Sequence, residues 1–469
     1  MGCTVSARVA AALSVVQYVA GRPDPTRSIP VGLIARELGM TLSATSRLCS
    51  ELQAAGLLDR AESYGSYRIG REAIRLSGRA GAPFARSVRF ALTLAAQQTG
   101  ETVFLAAGSS GGIRVIDAVE SIWTLHSAAE VGELIAEESS AVSVALGGLN
   151  ADGAAAHFES TVGMSVEVAT PILGPDGQRI AAVAIRLPTN RSAQNLDRAR
   201  RALVAARRNI ERALGEPAPT PHVAAPSATT NPTAVHAALR ILHYLANGSS
   251  SIAAIARATG LRADRAKRIV ESCRTAGFVV ETGNAVDYQL AWIVLGWHRA
   301  ATAPIIVDRG TPLVVEAATR TKTCAFITVL KGMRSFTLVE HLALAGDGLQ
   351  MASWLGRAHP IIGSDGGPTM LMDFTADEIT RMFPTRHTRR EADAVLEQVR
   401  EVTRRGVLAM QAFDDAGLVS ISAPVRDASG AVIAAACIVG TTDYVRDNIA
   451  EFENAAVALA AEVTALLDA

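Results

Sequence analysis

The densest group of side chains with chemistry to offer is a short basic segment in the second half of the chain. Residues 262–274 hold five basic side chains against two acidic ones, a net charge of +3. These side chains are Arg262, Arg265, Lys267, Arg268 and Arg274, with Asp264 and Glu271. Arginine forks onto guanine O6 and N7, and basic groups along a helix bind nucleic-acid phosphates. The segment therefore suits contact with a polyanion, and an ordinary solvated helix face is the alternative.

A sequence repeat includes the residues just before this segment. Ile255–Gly260 reads IARATG, and Ile34–Gly39, 221 residues earlier, reads IARELG. The same offset aligns three further pairs: Gly56 with Gly277, Tyr67 with Tyr288, and Thr102 with Thr323. A period of this length predicts a tandem duplication of a large unit rather than an array of short repeats.

The first unit holds the counterpart of the basic segment at residues 41–55, where Arg47 stands against Glu51 and the net charge is zero. Arg47 and Arg268 occupy equivalent positions. The residues predicted to contact DNA are Ser43, Ser46 and Arg47 in the first segment and Asp264, Arg265, Lys267 and Arg268 in the second. Those expected to be buried in the first segment are Thr45, Leu48 and Leu52. The difference in charge predicts that the second segment is the stronger DNA reader.

Three short helices and a β-ribbon are predicted to position these residues in the first unit. Apolar spacing and stop signals give the helix ranges Ala7–Ala20, Pro30–Leu38 and Leu42–Ala55. The following sequence, LLDRAESYGSYRIG, predicts a ribbon with its turn at Tyr64-Gly65-Ser66. Three helices and a ribbon in about 70 residues are typical of a winged helix-turn-helix, whose third helix enters the major groove.

The second unit repeats this plan. Thr233–Asn247 and Arg262–Ala276 are the predicted first and third helices, and Ser251 is the expected N-cap of the second. The sequence FVVETGNAVDYQL then predicts the second ribbon. Two copies with matching helix lengths strengthen the prediction of a winged helix in each.

A mixed domain of strands and helices is predicted after each winged helix. The chain then has winged helices at 1–78 and 233–293, mixed domains at 79–214 and 294–469, and a Pro-, Ala- and Thr-rich linker at 215–232. Each mixed domain ends in a hairpin and a helix, which runs over Leu196–Leu214 in the first and Asp447–Leu467 in the second. The first domain lacks an interval of 29 residues. In the second domain this interval predicts helices around Thr375–Phe383 and Glu391–Gly406.

The whole chain resembles two fused copies of the IclR family of bacterial transcription regulators. The residues that carry the resemblance are IARATG and KRIVESCRTAGFV in the helix-turn-helix and SISAPVRDASGAVIAAACIVG in the hairpin. The glycine and proline spacing of LGRAHPIIGSDGG resembles the family's loop over its effector pocket. The resemblance implies an α+β fold with two winged helix-turn-helix domains and two GAF-like effector domains, the first truncated. The first copy departs from the family pattern, because Glu133–Ser140 stands where the second has this loop.

The resemblance also implies a small-molecule pocket in the second mixed domain only. In the family, ligands lie between the sheet and the loop-helix segment that the first copy lacks. By position, the residues carried over are Trp354, Thr369, Met370, Met410, Ser420 and Cys437. A largely apolar lining with a few polar groups suits a small organic acid or an aromatic compound. The alternative is that these side chains fill a core.

Catalytic chemistry has weaker support in the sequence. The candidates are His341 beside Glu340, the dipeptide Asp414-Asp415, and Cys437, and none lies in a nucleophile or metalloprotease motif. The five cysteines are scattered without a C-x-x-C pair, so neither a disulfide framework nor a metal site is predicted. We therefore expect no enzymatic activity and no cofactor.

Composition limits the choice of partners. Lys+Arg and Asp+Glu are equal at 45 each, so any surface for a polyanion must be local. Hydrophobic content of 49% predicts globular domains with apolar cores. No run reaches the roughly 18 apolar residues of a membrane span, and the expected location is the cytoplasm, with no membrane partner.

These patterns predict a regulator that binds double-stranded DNA and responds to a small organic effector. Winged helices also mediate protein contacts, so a partner-binding module or co-regulator without DNA affinity is the competing hypothesis. Because one chain carries both winged helices, they can pair intramolecularly through their first helices. The apolar residues expected to pair are Val9, Leu13 and Val16, with Val235, Leu239 and Leu242. A homodimer that pairs second copy with second copy is the alternative arrangement.

Overall fold

A computed structural model describes residues 2–109, 111–147, 157–215, 233–283, 286–343, 351–383, 387–412 and 417–468. The chain divides into two compact units, Met1–Ala301 and Thr302–Ala469. The predicted linker at 215–232 lies outside the described residues except for Gly215, which ends a long helix. Within the described ranges, no helix combines the length and the apolar character needed to cross a membrane.

The first unit opens with a helix-turn-helix and a ribbon. The elements are α1 (Gly2–Ala20), β1 (Ile29–Pro30), α2 (Val31–Glu37), α3 (Leu42–Ala54), β2 (Leu58–Arg60) and β3 (Ser66–Ile69). The three predicted helices are confirmed, but α1 begins at Gly2 rather than at Ala7, since no helix breaker stands between these residues. The Thr41 hydroxyl caps α3 by accepting the Ala44 N–H at 3.3 Å. Strand β3 lies between β1 and β2 in an antiparallel sheet.

A mixed domain follows in the same unit. Its elements are α4 (Arg71–Gly81), α5 (Ala85–Thr99), β4 (Thr102–Ser109), β5 (Gly112–Val119), β6 (Leu134–Ile135), α6 (Ala141–Gly147), β7 (Phe158–Val162), β8 (Ser165–Leu173), β9 (Arg179–Pro188) and α7 (Thr189–Gly215). The strands form one antiparallel sheet in the order β6-β5-β4-β9-β8-β7. Helices α5 and α7 contact each other and the sheet, and α6 packs on β8 and β9.

The second helix-turn-helix belongs to this unit, which ends within the helix that follows the motif. Its elements are α8 (Ala234–Leu245), β10 (Ser250–Ser251), α9 (Ile252–Thr259), α10 (Ala263–Thr275), β11 (Val279–Glu281) and β12 (Asp287–Leu290), followed by a 3-10 helix (Trp292–Gly296) and α11 (Trp297–Ile305). The predicted N-cap is confirmed, because the Ser251 hydroxyl accepts the Ala254 N–H at 3.4 Å. Gly260 ends α9 in the left-handed conformation, with φ of 66°, which explains the glycine at this position of the repeat.

The second unit is the second mixed domain. After a π-helical segment (Ile306–Gly310), its elements are α12 (Thr311–Thr321), β13 (Cys324–Lys331), β14 (Arg334–His341), β15 (Ala358–Pro360), α13 (Gly367–Met370), α14 (Ala376–Met382), α15 (Arg389–Arg405), β16 (Leu408–Gln411), β17 (Leu418–Arg426), β18 (Val432–Thr441), α16 (Thr442–Asp447) and α17 (Ile449–Asp468). Helices α14 and α15, expected in the interval that the first domain lacks, each begin with a capping box.

The two six-stranded sheets have the same order. The second sheet runs β15-β14-β13-β18-β17-β16, which matches the first sheet strand for strand. Phe104 stands opposite Ala184 in the first, and Phe326 stands opposite Cys437 in the second. Ala184 and Cys437 each stand seven residues after the turn glycine of their hairpin, Gly177 or Gly430, so this register aligns Phe104 with Phe326. The alignment of Thr102 with Thr323 from the sequence repeat is therefore wrong by one residue within the strand.

Candidate nucleic-acid interface and small-molecule cleft

The third helix of the first motif separates polar and apolar faces as its sequence predicts. Ser43, Ser46 and Arg47 are exposed. On the opposite face, the buried residues are Thr45, Leu48, Cys49 and Leu52. Glu51, the nearest acidic group in sequence, is paired with Arg8 of α1 at 2.8 Å. Arg47 makes no ion pair within the described part of the chain, so its guanidinium is available to an external anion.

The third helix of the second motif also presents its polar residues outward. Asp264, Lys267 and Arg268 are exposed, whereas Arg265 is half-buried. Asp264 lies 3.5 Å from Arg262 and 3.8 Å from Arg268, and all three side chains are more than half exposed. Ion pairs in such exposed positions are worth about 0–1 kcal/mol. DNA phosphates or base edges can therefore displace them at little cost.

The two motifs contact each other inside the first unit. Helix α1 touches α8 and α10 of the second motif, besides α3 of its own. The six apolar residues expected at this pairing are all buried: Val9, Leu13, Val16, Val235, Leu239 and Leu242. His243 on α8 lies 3.3 Å from Glu72 on α4, and this close approach is the largest cause that lowers the pKa of Glu72. The first helix of the second motif thus packs against the first helix of the first motif and against α4.

A second junction joins α4 to the segment after the second ribbon. Ser77 Oγ donates to the Val294 carbonyl at 2.6 Å and lies 2.9 Å from His298 Nδ1. Both side chains are buried. Ser77 and His298 are 221 residues apart, which is the offset of the sequence repeat. Two positions that the sequence repeat aligns therefore meet, as aligned positions do at the axis of a two-fold dimer.

The second unit contains a small cleft, open to solvent, over strands β13 and β14. It is lined by Phe326, Thr328, Ser335, Thr337, Trp354, His359, Ser364, Asp365 and Gly366. The rings of Phe326 and Trp354 lie 5.0 Å apart. Glu340 holds the tryptophan segment in place, because its Oε2 accepts the Trp354 N–H at 2.8 Å. The cleft thus combines an aromatic wall with several hydroxyl groups.

Of the six side chains predicted to bind an effector, Trp354 lines this cleft. Four others are fully buried in the adjoining half of the domain: Thr369, Met370, Ser420 and Cys437. Met410 is half-buried on the edge strand β16. The segment leading into α13 covers that half, since a Cβ on Gly366 would lie 2.6 Å from Thr328 Cγ2 and 3.3 Å from Cys437 Sγ. Thr369 also closes onto Ser422, with 2.8 Å between their hydroxyls.

The titratable side chains among the described lining residues are Asp365 and His359, and that set contains no lysine or arginine. Residues 344–350, which join β14 to the Trp354 segment and lie outside the described residues, also carry no basic residue in their sequence. Within this lining, an anionic ligand therefore meets no lysine or arginine, and His359 is the titratable side chain that could donate to it.

The side chains considered for catalysis lie in surroundings that do not favour catalytic chemistry. Burial, and then the charge of Asp365, raise the pKa of the Cys437 thiol well above its ordinary value. A thiol of this kind is a poor nucleophile. Glu340 binds the Trp354 backbone, and Asp414-Asp415 lies outside the described residues. Among the described residues, no group of His, Cys, Asp and Glu has the arrangement of a metal site.

The corresponding face of the first mixed domain is closed by its own side chains. The strand register puts Glu167 where the second domain has Ser420, and Arg186 where it has Val439. Arg186 Nε donates to Glu167 at 3.0 Å, its Nη1 donates to Glu133 at 2.8 Å, and its guanidinium lies 4.7 Å from the Phe104 ring. Ala141, Val142 and Ala145 of α6 pack on the same face. In the first domain, a buried ion pair and a short helix thus fill the region that corresponds to the surroundings of the cleft in the second domain.

Comparisons with known proteins match two parts of the chain. Residues 300–465 match the family described as bacterial transcriptional regulator IclR C-terminal, and residues 9–69 match the MarR family. A comparison with curated protein sequences gave no significant match.

Several solved structures are similar to this chain. IclR of Thermotoga maritima is 17% identical, with 50% of this chain and 97% of that chain covered and a TM-score of 0.31. HmgR of Pseudomonas aeruginosa is 19% identical, with 49% and 96% covered and a TM-score of 0.34. An IclR homolog from Microbacterium hydrocarbonoxydans, complexed with 4-hydroxybenzoate, is 16% identical, with 50% and 98% covered and a TM-score of 0.31.

Proposed function

We propose that this chain is a transcription regulator of the IclR type, which reads DNA with two helix-turn-helix motifs and responds to a small molecule in its second mixed domain. The matches of residues 300–465 and 9–69 to regulator families support this assignment. The observation that carries the DNA-binding part is the exposed polar face of α3 and of α10, each beside a ribbon. A third helix exposed in this way can enter the major groove.

The two motifs would act as an intramolecular pair. The contact of α1 with α8 and α10 supports this arrangement, as does the meeting of Ser77 with His298 at equivalent positions. The identical order of the two six-stranded sheets supports a tandem duplication as its origin. A single chain would then present two recognition helices, as a dimer of single-motif chains does.

The second motif would be the stronger reader of the pair. Its third helix carries a net charge of +3 over residues 262–274, against zero over residues 41–55. Asp264 reduces the field at Arg268 only weakly, because both groups are exposed to water. Lys267 and Arg268 therefore remain able to contact phosphates or guanine edges.

The response to a small molecule would belong to the second mixed domain. Its open cleft is lined by two aromatic rings and several hydroxyl groups, a mixture of apolar and polar groups that suits a small ligand. In the first domain, Glu167, Arg186 and α6 fill the corresponding face. A ligand there would have to displace a buried ion pair, which is costly because it leaves charges without partners.

Of the two ligand classes expected from the sequence, the cleft favours the aromatic one. Phe326 and Trp354 offer ring surfaces, and Thr328, Ser335 and Thr337 offer hydroxyls. Asp365 repels a carboxylate and attracts an amine. The effector would thus be an aromatic compound with neutral or cationic polar groups rather than an organic acid.

Calorimetry on the full chain tests this ligand class with benzyl alcohol, benzylamine and benzoate as size-matched probes. We expect benzoate to bind least tightly, and Asp365→Asn to reduce the preference for benzylamine over benzoate at least about fivefold, given roughly 1 kcal/mol between unit charges at 4 Å in water. Asp377→Asn, which removes an exposed carboxylate of α14, is the matched control. Tightest binding of benzoate, or the same shift in both variants, would overturn the assignment.

The proposed DNA binding is tested against the partner-binding alternative by selecting bound fragments from the source genome. Enrichment of a common sequence, followed by an electrophoretic shift that Arg265→Ala/Arg268→Ala weakens, supports a DNA-binding regulator. Without enrichment of any fragment at physiological salt, the partner-binding module would be the better account.

A further inference from the structure

Four arginines form a straight stripe along the outer face of α7. They are Arg198, Arg201, Arg208 and Arg212, and we call them the arginine stripe. At 100° per residue they fall within about 80° of the helix circumference, and they extend over about 21 Å of its length. All four are exposed. The opposite face is buried against the sheet and α5 through small and apolar residues: Ala199, Ala202, Leu203, Ala206 and Ile210. That packing fixes the direction in which the stripe faces.

The stripe keeps its charge. Two neighbouring arginines of α7 are neutralised, since Arg200 pairs with Glu159 at 2.6 Å and Arg207 pairs with Glu211 at 2.8 Å. The four stripe guanidiniums make no ion pair with any described residue, and Arg212 has a side-chain hydrogen bond only to Asn209 at 3.5 Å. The sequence that follows, 216–232, contains a single acidic residue. Four aligned positive charges therefore face outward, and none of them is paired with a carboxylate of a described residue.

The C-terminal end of the stripe lies beside the ribbon of the second motif. The Leu173 N–H donates to Glu211 of α7 at 2.9 Å, which holds the start of the β8–β9 turn against that end of the helix. Asp176, in the same turn, accepts the N–H of Gly283 at 3.2 Å. A Cβ at position 283 would collide with Asp176, so the ribbon between β11 and β12 approaches the turn closely. These two contacts connect the arginine stripe to the motif with the more basic third helix.

We propose that the arginine stripe binds the phosphate backbone of duplex DNA that continues past the site contacted by α10 and its ribbon. This inference rests on the proposed function. The ribbon of a winged helix borders the bound duplex, and the C-terminal end of the stripe lies beside this ribbon. Arginines in a row can follow successive phosphates without reading bases. The stripe thus lengthens the contact on the side of the second motif only, and it adds affinity that depends on salt but not on sequence.

The test compares two DNA probes across a salt series. One probe ends at the edge of the footprint next to the second ribbon, and the other continues about two helical turns further. The variant Arg198→Gln/Arg201→Gln/Arg208→Gln/Arg212→Gln removes the stripe and retains good helix formers. The control Arg389→Gln/Arg390→Gln/Arg400→Gln/Arg404→Gln removes four exposed arginines of α15 in the second unit and changes the net charge equally.

We expect the wild type to bind the long probe more tightly and with a steeper dependence of log K on log salt. Loss of the stripe should reduce that slope by up to about 3.6, at about 0.9 per phosphate contact, and should leave binding of the short probe unchanged. Equal slopes for both probes in the wild type would overturn the proposal, as would an equal loss in the α15 control. A vesicle-binding measurement could overturn the proposal in a third way. If the stripe variant loses binding to anionic vesicles but keeps the wild-type salt slope on the long probe, the stripe binds a membrane surface rather than DNA.

The same experiment distinguishes a failure of the proposed function from a failure of the stripe proposal. If the wild type binds neither probe, both the function and the stripe's role are wrong. If Arg265→Ala/Arg268→Ala abolishes binding of both probes while the stripe variant matches the wild type, the proposed function stands and the stripe proposal alone is wrong.

Discussion

Arg47 and Arg268 stand at equivalent positions of the two third helices but in different electrostatic surroundings. Glu51 is held by Arg8, which leaves Arg47 without an ion pair in the described part of the chain. Arg268 shares Asp264 with Arg262 at long distances, yet Lys267 and Arg265 add charge around it. Arg47 thus has fewer ion-pair partners than Arg268, while the second helix has the larger net positive charge.

We predict that Arg265→Ala/Arg268→Ala weakens operator binding by about 1–3 kcal/mol for each base edge that the truncated side chains no longer reach, and Arg47→Ala by less. The physical reason is the net charge of +3 on the second segment. Titration in an electrophoretic shift measures the change, and Arg390→Ala on α15 serves as the exposed control. The assignment is reversed if the double variant binds normally while Arg47→Ala abolishes binding.

The reactivity of the buried cysteines tests the expectation that Cys437 is not a catalytic nucleophile. Burial raises the pKa of Cys49 and Cys273 to about 12, that of Cys324 to about 11, and that of Cys437 well above its ordinary value. In a Cys3→Ser variant at pH 8, we therefore expect all four thiols to react slowly with a disulfide reagent and to react quickly after unfolding. Fast labelling of Cys437 in the folded protein would show a reactive thiol and contradict this interpretation.

The same shifts fix the sign of the pH dependence of stability. A folded-state pKa above the unfolded value means that the unfolded chain releases its thiol protons first. The stabilising effect is therefore complete below the unfolded pKa of about 8.5 and declines as the pH rises toward 12. We expect the melting temperature of the Cys3→Ser variant to fall over this range.

At the scale of elements, sequence periodicity predicted most helices and strands because their apolar faces are built from local patterns. The caps were also predictable, as Ser251 shows. The small-molecule cleft was not, since its lining depends on where α13 packs. Alternate residues of β13 and β14, such as Thr328 and Thr337, carried a usable signal: they face the same side of the sheet as Phe326.

The closed face of the first mixed domain makes a prediction about coupled substitutions. Arg186 bonds to both Glu167 and Glu133, so Arg186→Val leaves two carboxylates without their partner. Loss of one partner of a buried pair costs about 3–5 kcal/mol. Arg186→Val/Glu167→Ser, which installs the residues found at the equivalent positions of the second domain, should cost less than Arg186→Val alone.

Hydrogen exchange of β8 and β9, measured in the full chain, checks this order because it reports local rather than global unfolding. Glu159→Ser, which removes a half-exposed carboxylate bound to Arg200, is the control and should have a small effect. Additive losses in the double variant would show that Glu167 and Arg186 do not form the coupled pair described above.

At the scale of the whole molecule, the proposed function depends on two unlike recognition helices held in one chain. Helix α1 connects the motifs through its contacts with α8 and α10, and Ser77 of α4 lies 2.9 Å from His298 of α11. A chain built in this way presents two recognition helices without dimerising with another chain. Because α3 and α10 differ in charge and sequence, the two half-sites should also differ.

The most direct test of this claim is to determine the mass of the protein–operator complex by analytical ultracentrifugation, together with its footprint. The account predicts one chain per operator, protecting two unlike half-sites whose centres lie about 34–36 Å apart, or one turn of the duplex. Two chains on a perfect palindrome, each bound through its second motif, would contradict it.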